Sequence, residues 1–288
     1  DSGFVGFIIP ISLPSTPRME KLRQVLEGET DLLFNANFAD RPGTLFNGVH
    51  QKLSISIGRR SSDKLTNFYS TNFTHWYSKG SNNERLILMD KITYLPVQNR
   101  SMYWFKIGNQ IEPSIFEKIS QEKSLSLNFL NNTNFCAYLN VRMMFWGKCF
   151  VNSKKSSEYK IFYFEDAIKR DAFVSLMNSS LFFYFWELVS DCWHITNREL
   201  NEFKCNLNSI DNYISNLANK LEIDLESKKV FVGTVQTDYE YYHKKSKHII
   251  DEIDTVLAEH YGFTEEELDF IINYDIKYRM GKELEEEE

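Results

Sequence analysis

An uninterrupted apolar run near the start of the chain limits the fold more than any other feature. Residues 4–9, FVGFII, carry no polar side chain, and the run ends at Pro10. Such a run predicts a strand that is buried on both faces, as in the parallel sheet of an α/β domain. Because a chain seldom begins inside a core strand, we expect this sequence, which starts at Asp1, to be a piece of a longer protein.

Helix and strand signals continue this α/β pattern to about residue 60. The sequence Ser-Thr-Pro at 15–17 predicts the start of a helix, with proline in its first turn. Gly28 is expected to end that helix, and strands are predicted at 31–38 and 52–57. In the second of these strands, apolar residues alternate with serines, which is typical of a strand with one buried face.

A polar connector at 61–64 separates this part from a chain of different texture. Four short segments favour strands: LTNFYS, RLILMD, CAYLNVRMMFWGKCFV and YKIFYF. The predicted helices lie at 113–121, about 166–189, 209–221 and about 236–260. The aromatic run at 181–186 predicts that the long helix is buried on more than one side. Thr264 and Glu267 form a capping-box pattern that predicts a further helix.

The net charge of −7 hides an uneven distribution. Residues 251–288 contain 14 acidic and 3 basic residues, a net charge of −11, and end in the run Glu283–Glu288. Residues 1–250 contain 30 basic and 26 acidic residues, a net charge of +4. Within them, residues 100–160 hold nine Lys or Arg and four Glu, a net charge of +5. A basic middle is compatible with DNA contact, and a solvated surface explains it as well.

The cysteines and histidines do not predict a metal site. The four cysteines lie far apart without a CxxC pair, so zinc has little support, and their number fits a reducing cytoplasm. His194 is a lone histidine at a helix end, for which a structural role is the usual reading. No apolar run is long enough to span a bilayer. We therefore expect a cytoplasmic protein without a metal.

Three segments, taken in order, resemble the long adenine-specific DNA methyltransferases of restriction–modification systems. GFIIPISLPSTPRMEKLRQVL is similar to the strand and helix that follow the catalytic loop of this family. ADRPGTLFNGVHQKLSISIGRR resembles the β-hairpin that closes its catalytic domain. The segment 159–200, from YKIFYF to NREL, resembles a strand and helix of its target-recognition region, and 260–281 resembles the end of many long members.

The resemblance implies a fold and a division of the chain. Residues 1–60 would be the C-terminal end of a Rossmann-like α/β methyltransferase domain. Residues 61–208 would be an α+β target-recognition domain, and residues 209–288 a helical C-terminal region with an acidic tail.

The resemblance also implies a function with specific parts missing. The sequence has neither a G-x-G loop nor a Pro-Pro dipeptide, so the family's cofactor loop and catalytic loop are absent. We therefore expect no catalytic residue, no bound S-adenosylmethionine and no methyl transfer by this chain alone. The full-length protein would use S-adenosylmethionine on double-stranded DNA, and a nuclease partner or domain remains open.

The family extrudes the target adenine and stacks it on an aromatic ring in the late hairpin. The matching residue here is Phe46, for which a core position is the alternative. His50, Gln51 and Lys52 follow as candidates for phosphate contact, with exposed loop residues as the alternative. The remaining DNA-binding candidates are Arg142, Lys148, Lys154, Lys155, Asn197 and Arg198. A solvated face explains the four basic residues equally well, and N-capping by Thr196 explains part of the last segment.

Two other classes of function remain open at this point. The chain could be a DNA-binding specificity module that never carried a methyltransferase. It could also be a protein-interaction fragment, in which the many aromatic residues build only core and partner surface.

Overall fold

The computed structural model describes residues 3–60, 66–77, 84–97 and 103–281. They form two compact units. Unit 1 comprises Asp1–Pro113 with Glu187–Cys192, and unit 2 comprises Ser114–Trp186 with Trp193–Glu288. Both units mix helices and strands, so the predicted class, an α/β part followed by an α+β part, is confirmed. The predicted connector at 61–64 and the acidic run at 283–288 lie outside the described residues.

A five-stranded sheet forms the centre of unit 1. Its strands are β1 (Gly3–Pro10), β2 (Thr30–Phe38), β3 (Leu53–Arg60), β4 (Asn67–Thr74) and β5 (Leu95–Pro96). The spatial order is β1-β3-β2-β4-β5. β3 is antiparallel to both β1 and β2, whereas β2 and β4 are parallel. β1, β2 and β4 therefore run in one direction. The domain boundary predicted at residue 60 falls within unit 1, which extends to Pro113.

The helices of unit 1 are short. They are α1 (Ser12–Ser15), α2 (Glu20–Glu29) and α3 (Leu88–Lys91), and α4 (Glu112–Ser120) begins in this unit. A 3₁₀ turn at Pro17–Met19 leads into α2, which confirms the helix predicted after residue 15. α2 packs on β2. Gly28 lies in the last turn of α2 rather than beyond it.

The prediction of a buried first strand is wrong in one respect. FVGFII does form a strand, β1, but β1 lies at one end of the sheet and is antiparallel to its neighbour. Phe4 is 78% exposed and Ile8 is 54% exposed, and these two side chains leave the strand on the same face. Phe7, on the other face, is 39% exposed. The apolar run therefore fixed the strand but not its burial.

The opposite reversal occurs in β3, where the serines are inside. Ser54 and Ser56 are buried, whereas Ile57 is 47% exposed. The Ser56 hydroxyl donates to Asn35 Oδ1 at 2.7 Å, and the Ser54 hydroxyl donates to Asn37 Oδ1 at 3.2 Å. Because each buried polar group has a partner, this polar face is stable inside the protein.

Unit 2 contains a three-stranded antiparallel sheet and a separate hairpin. The sheet has the order β7-β6-β8, with β6 (Phe135–Asn140), β7 (Cys149–Phe150) and β8 (Tyr159–Phe164). The hairpin pairs β9 (Val230–Phe231) with β10 (Tyr239–Glu240). The helices that follow α4 are α5 (Ala167–Asn178), α6 (Ser180–Val189), α7 (Asn197–Glu202), α8 (Tyr213–Lys228), α9 (Lys247–Tyr261), α10 (Glu265–Ile272) and α11 (Ile276–Met280).

The long helix predicted at 166–189 is two helices, α5 and α6, with a bend of 63° between them. The break is at Ser179, whose hydroxyl donates to the Leu176 carbonyl at 2.6 Å and accepts from the Phe182 N–H at 3.0 Å. Serine competes in this way with helical hydrogen bonds. The burial predicted for 181–186 is confirmed. Among the described residues, no single helix is both long enough and apolar enough to cross a bilayer. Only α5 and α6 taken together have the required length and hydropathy, and they are bent relative to each other.

Three further sequence predictions had different outcomes. The strand predicted for RLILMD is wrong, because this segment forms a 3₁₀ turn at Glu84–Ile87 followed by α3. The helix predicted at 236–260 is confirmed only from Lys247, because residues before it form β10 and a 3₁₀ turn. The capping box at Thr264 and Glu267 is confirmed at the start of α10. Thr196 also caps a helix, α7, with Glu199 as its reciprocal partner. Local hydrogen-bond signals were therefore the more reliable ones.

Candidate nucleic-acid interface

The loop that carries Phe46 lies at the carboxyl ends of parallel strands. It spans residues 39–52 and joins the end of β2 to the start of β3. The N–H of Ala39 donates to the Thr74 carbonyl at the end of β4, at 3.0 Å. The N–H of Ile11, just beyond β1, donates to the Lys52 carbonyl at 3.0 Å. In open α/β sheets, this edge is where ligands bind.

Buried contacts hold the first half of this loop. A side chain at Gly43 would collide with the Trp76 indole, since a Cβ there would lie 2.4 Å from Trp76 Nε1. His75, directly after β4, lies between the Arg41 carbonyl, 2.6 Å from its Nδ1, and a Glu187 carboxylate oxygen, 3.2 Å from its Nε2. His75 and Glu187 are both buried. The loop is therefore anchored on the side that faces the sheet.

The second half of the loop is open to solvent. Phe46 is 45% exposed and Val49 is 41% exposed, and the Val49 N–H donates to the Phe46 carbonyl at 3.1 Å. Gly48 between them has a φ of +73°, which glycine adopts without steric cost. His50 and Gln51 are exposed as well. A stacking role for Phe46 and phosphate contacts for His50 and Gln51 stay predictions.

Lys52 differs from its neighbours because its charge is already paired. Its ammonium lies 3.6 Å from a carboxylate oxygen of Asp40, and the Lys52 side chain is 12% exposed. The Asp40 side chain is 5% exposed. A buried pair of this kind is costly to break. A phosphate contact by Lys52 would compete with this ion pair, and it stays a prediction.

Lys154, in unit 2, belongs to an ionic network. Its ammonium lies 3.3 Å from a Glu222 oxygen and 2.5 Å from a Glu226 oxygen, and the side chain is 11% exposed. It also lies 4.7 Å from the centre of the Phe150 ring. Burial tends to raise the pKa of Glu226, but hydrogen bonds from Lys154 and Lys229 outweigh it and lower this pKa to about 2. The charge of Lys154 is thus balanced by two carboxylates of the same chain.

The other three basic candidates of unit 2 differ in accessibility. Lys148 is half-buried, and burial lowers its pKa although Glu240 opposes this shift. The Lys155 side chain is 59% exposed and pairs with Asp238 at 2.6 Å. Arg142 is exposed. Lys155 and Arg142 are therefore the members of this set that solvent, and hence phosphate, can reach.

Asn197 and Arg198 are neighbours in the first turn of α7, but their side chains have different surroundings. The Arg198 Nε donates to a Glu199 oxygen at 2.8 Å, and the Arg198 side chain is 19% exposed. Asn197 is exposed in the first turn of the same helix. Its amide lines a cleft that Arg198 does not reach.

The predicted residues are divided between the two units. Phe46, His50 and Gln51 lie together in unit 1, whereas the other exposed candidates belong to unit 2. In unit 2, Lys154 and Lys155 share a cleft of about 280 Å³, here named the polar cleft. Its further lining includes Glu226, Lys229, Asp238, Tyr239 and Tyr241. Sequence reasoning missed these residues, since their association with Lys154 depends on contacts between distant segments.

Comparisons with known proteins give little for this chain. No protein-family model matches the sequence, and no curated protein matches it. A solved structure described as an ATP-dependent Type ISP restriction-modification enzyme, LlaBIII, bound to DNA is similar with a TM-score of 0.26 at 13% identity. The match covers 75% of this chain and 14% of that chain. A likeness of this strength carries no argument about this chain, and the DNA is that enzyme's ligand.

Proposed function

We propose that the chain is the DNA-recognition portion of an adenine-specific DNA methyltransferase of a type II restriction–modification system. The residue patterns that resemble this family support the proposal. The restriction–modification context agrees with that of the solved neighbour, whose likeness is too weak to add support. The partner is double-stranded DNA. S-adenosylmethionine supplies the methyl group, and the residues that bind it are not in this sequence.

The observation that carries the proposal is the position of the Phe46 loop. The loop lies at the carboxyl ends of strands that run in one direction, is anchored by buried contacts, and presents an exposed aromatic ring. Methyl transfer to adenine requires the base to leave the duplex, at a cost of a few kcal/mol. An aromatic face returns about 1–3 kcal/mol per stacked base. In the proposal, Phe46 supplies this face.

The test compares Phe46→Ala with Val49→Ala in the whole chain. Val49 is the matched control, because it is apolar, similarly exposed and in the same loop. The probe is a duplex with one adenine opposite an abasic position, which lowers the cost of extrusion, and the reference is the fully paired duplex. We expect Phe46→Ala to reduce the preference for the first duplex roughly tenfold, because about 1.4 kcal/mol is a factor of ten.

The stacking role also predicts what stays unchanged. Both variants should keep the parent melting temperature, since a core Phe would cost about 3–5 kcal/mol on truncation to Ala. A large loss of stability in Phe46→Ala would show a core role instead. Equal preferences in the parent and Phe46→Ala would remove the proposal's main support.

One observation favours a second function, protein–protein interaction. β1 is the end strand of the described sheet and exposes apolar side chains on both faces. Exposed apolar edges of this kind pair with strands of other chains. Light scattering of the parent chain and of the Phe4→Lys variant tests this function. We expect the parent to self-associate and the variant to remain monomeric.

A further inference from the structure

A second cleft in unit 2 brings aromatic rings and asparagine amides together. It lies along β8, beside α7 and the segment at 126–130, and its volume is about 250 Å³. We name it the amide cleft, and the lining residues used below are Phe129, Leu130, Ile161, Phe162, Asn197 and Asn201. Pockets for drug-sized ligands have volumes of about 300–1,000 Å³, so this cleft suits a smaller ligand.

The local sequence explains why two asparagines face the same cleft. Thr196 and Glu199 form a capping box, which fixes the first turn of α7. Asn197 and Asn201 are four residues apart in that helix, and side chains at this spacing lie on one face. Leu200, between them in sequence, is buried.

These two amides are available to a ligand. In the part of the chain that the structure describes, neither the Asn197 nor the Asn201 side chain forms a hydrogen bond, and both residues are exposed. Arg198 differs, since Glu199 holds its guanidinium. Each amide offers two N–H donors and a carbonyl acceptor. Together they can bind a ligand edge that carries both a donor and an acceptor.

The aromatic part of the cleft is rigid. Phe129 and Phe162 are half-buried, and their ring centroids are 4.9 Å apart. Phe129 also meets Phe173 edge-on, with centroids 5.5 Å apart, and Phe173 is fully buried. Rings packed in this way offer a preformed apolar surface. A planar ligand can stack on it with little loss of side-chain freedom in the protein.

The charges around the cleft select the kind of ligand. The lining contains no Lys, Arg, Asp or Glu, so the bound part of the ligand should be neutral. The ammonium of Lys204 donates to the Asn201 carbonyl at 2.9 Å and places a cation beside this end of α7. A neutral planar ring joined to a phosphate matches both features.

We propose that the amide cleft binds an unstacked adenine of a DNA strand. Asparagine pairs with the adenine edge through N6 and N7, which present one donor and one acceptor. In this assignment Asn197 and Asn201 contact that edge, Phe129 and Phe162 contact the ring, and Lys204 faces the adjoining phosphate. The inference rests on the DNA binding of the proposed function but not on Phe46, which belongs to the other unit.

The test measures the affinity of the whole chain for two short single strands by fluorescence anisotropy. Both are oligothymidines, one with a central adenine and one with a central abasic position. We expect the adenine strand to bind more tightly, and the double variant N197L/N201L to reduce that preference roughly tenfold. The matched control is N216L/N219L, which changes two exposed asparagines of α8 that line neither cleft. It should keep the full preference.

The outcomes separate this inference from the proposed function. Equal binding of the two strands by the parent, or an unchanged preference in N197L/N201L, overturns the adenine site and leaves DNA binding intact. The first of these results is also the one expected if a peptide strand occupies the cleft. Failure of both single strands to bind at low salt overturns the adenine site, whereas failure of the fully paired duplex to bind under the same conditions overturns the proposed function. Unfolding of N197L/N201L is checked by circular dichroism, and N197D/N201D then serves as the second variant, with the same loss expected.

Discussion

The two clefts of unit 2 are of similar size but differ in how their polar groups are used. The polar cleft, of about 280 Å³, contains three lysines, and the amide cleft, of about 250 Å³, contains none. Each lysine of the polar cleft has a carboxylate partner: Lys154 pairs with Glu222 and Glu226, Lys155 with Asp238, and Lys229 with Glu226. The amides of Asn197 and Asn201 have no such partner among the described residues.

This difference shows that the charge of a segment does not measure its capacity to bind an anion. The net charge of +5 over residues 100–160 predicts a basic surface. In the structure, however, part of that charge is neutralised by Glu222, Glu226 and Asp238, which all lie outside the segment. The uncharged cleft is the one whose hydrogen-bonding groups are available.

The largest effect that would test this contrast is on stability. Lys154→Ala should lower the free energy of unfolding by about 3–5 kcal/mol, because it leaves the largely buried carboxylate of Glu222 without its cation. Lys155→Ala is the control, because its pair is exposed and such pairs contribute about 1 kcal/mol or less. Urea denaturation measures both. Equal losses would mean that Lys154 is no more committed to the fold than Lys155.

The pH dependence of stability should show a smaller effect from Glu226. The pKa of this group is about 2 in the folded protein, below its ordinary value of 4.5. Its contribution to stability is therefore complete above pH 4.5 and is lost as the pH falls towards 2. Glu226→Gln should therefore make the melting temperature depend less on pH between 4.5 and 2. The effect should stay below that of Lys154→Ala, because the Glu226 side chain is 32% exposed. A parallel decline in parent and variant would show that Glu226 contributes nothing there.

The smallest expected effect concerns DNA binding by the accessible cations. Each phosphate contact contributes about −0.9 to the slope of log affinity against log salt. Arg142→Ala with Lys155→Ala should flatten this slope by about 1.8 if both contact phosphate. Lys229→Ala serves as the comparison: both lysines are paired, but the Lys229 side chain is only 30% exposed, against 59% for Lys155, so Lys229→Ala should leave the slope unchanged. A slope that responds to Lys229 but not to the other two would reverse the assignment.

The candidate site could be predicted only where it depended on local sequence. The capping residues of α7 and the spacing of Asn197 and Asn201 are visible in the sequence, so half of the amide cleft was within reach. Phe129, in the other half, comes from a segment about seventy residues earlier. The partner of Lys52 follows the same rule, since Asp40 meets it only after the loop closes. Neither composition nor periodicity contains such long-range pairings.

The sequence by itself determined several elements: the strands β1, β2 and β3, the helix α2 and the capped starts of α7 and α10. These depend on periodicity and on hydrogen bonds between near neighbours. The tertiary structure alone decided which faces are inside. It left Phe4 and Ile8 of β1 exposed and buried Ser54 and Ser56 of β3. The physical reason is that a period of two assigns residues to two faces of a strand, but only the packed neighbours determine which face loses contact with water.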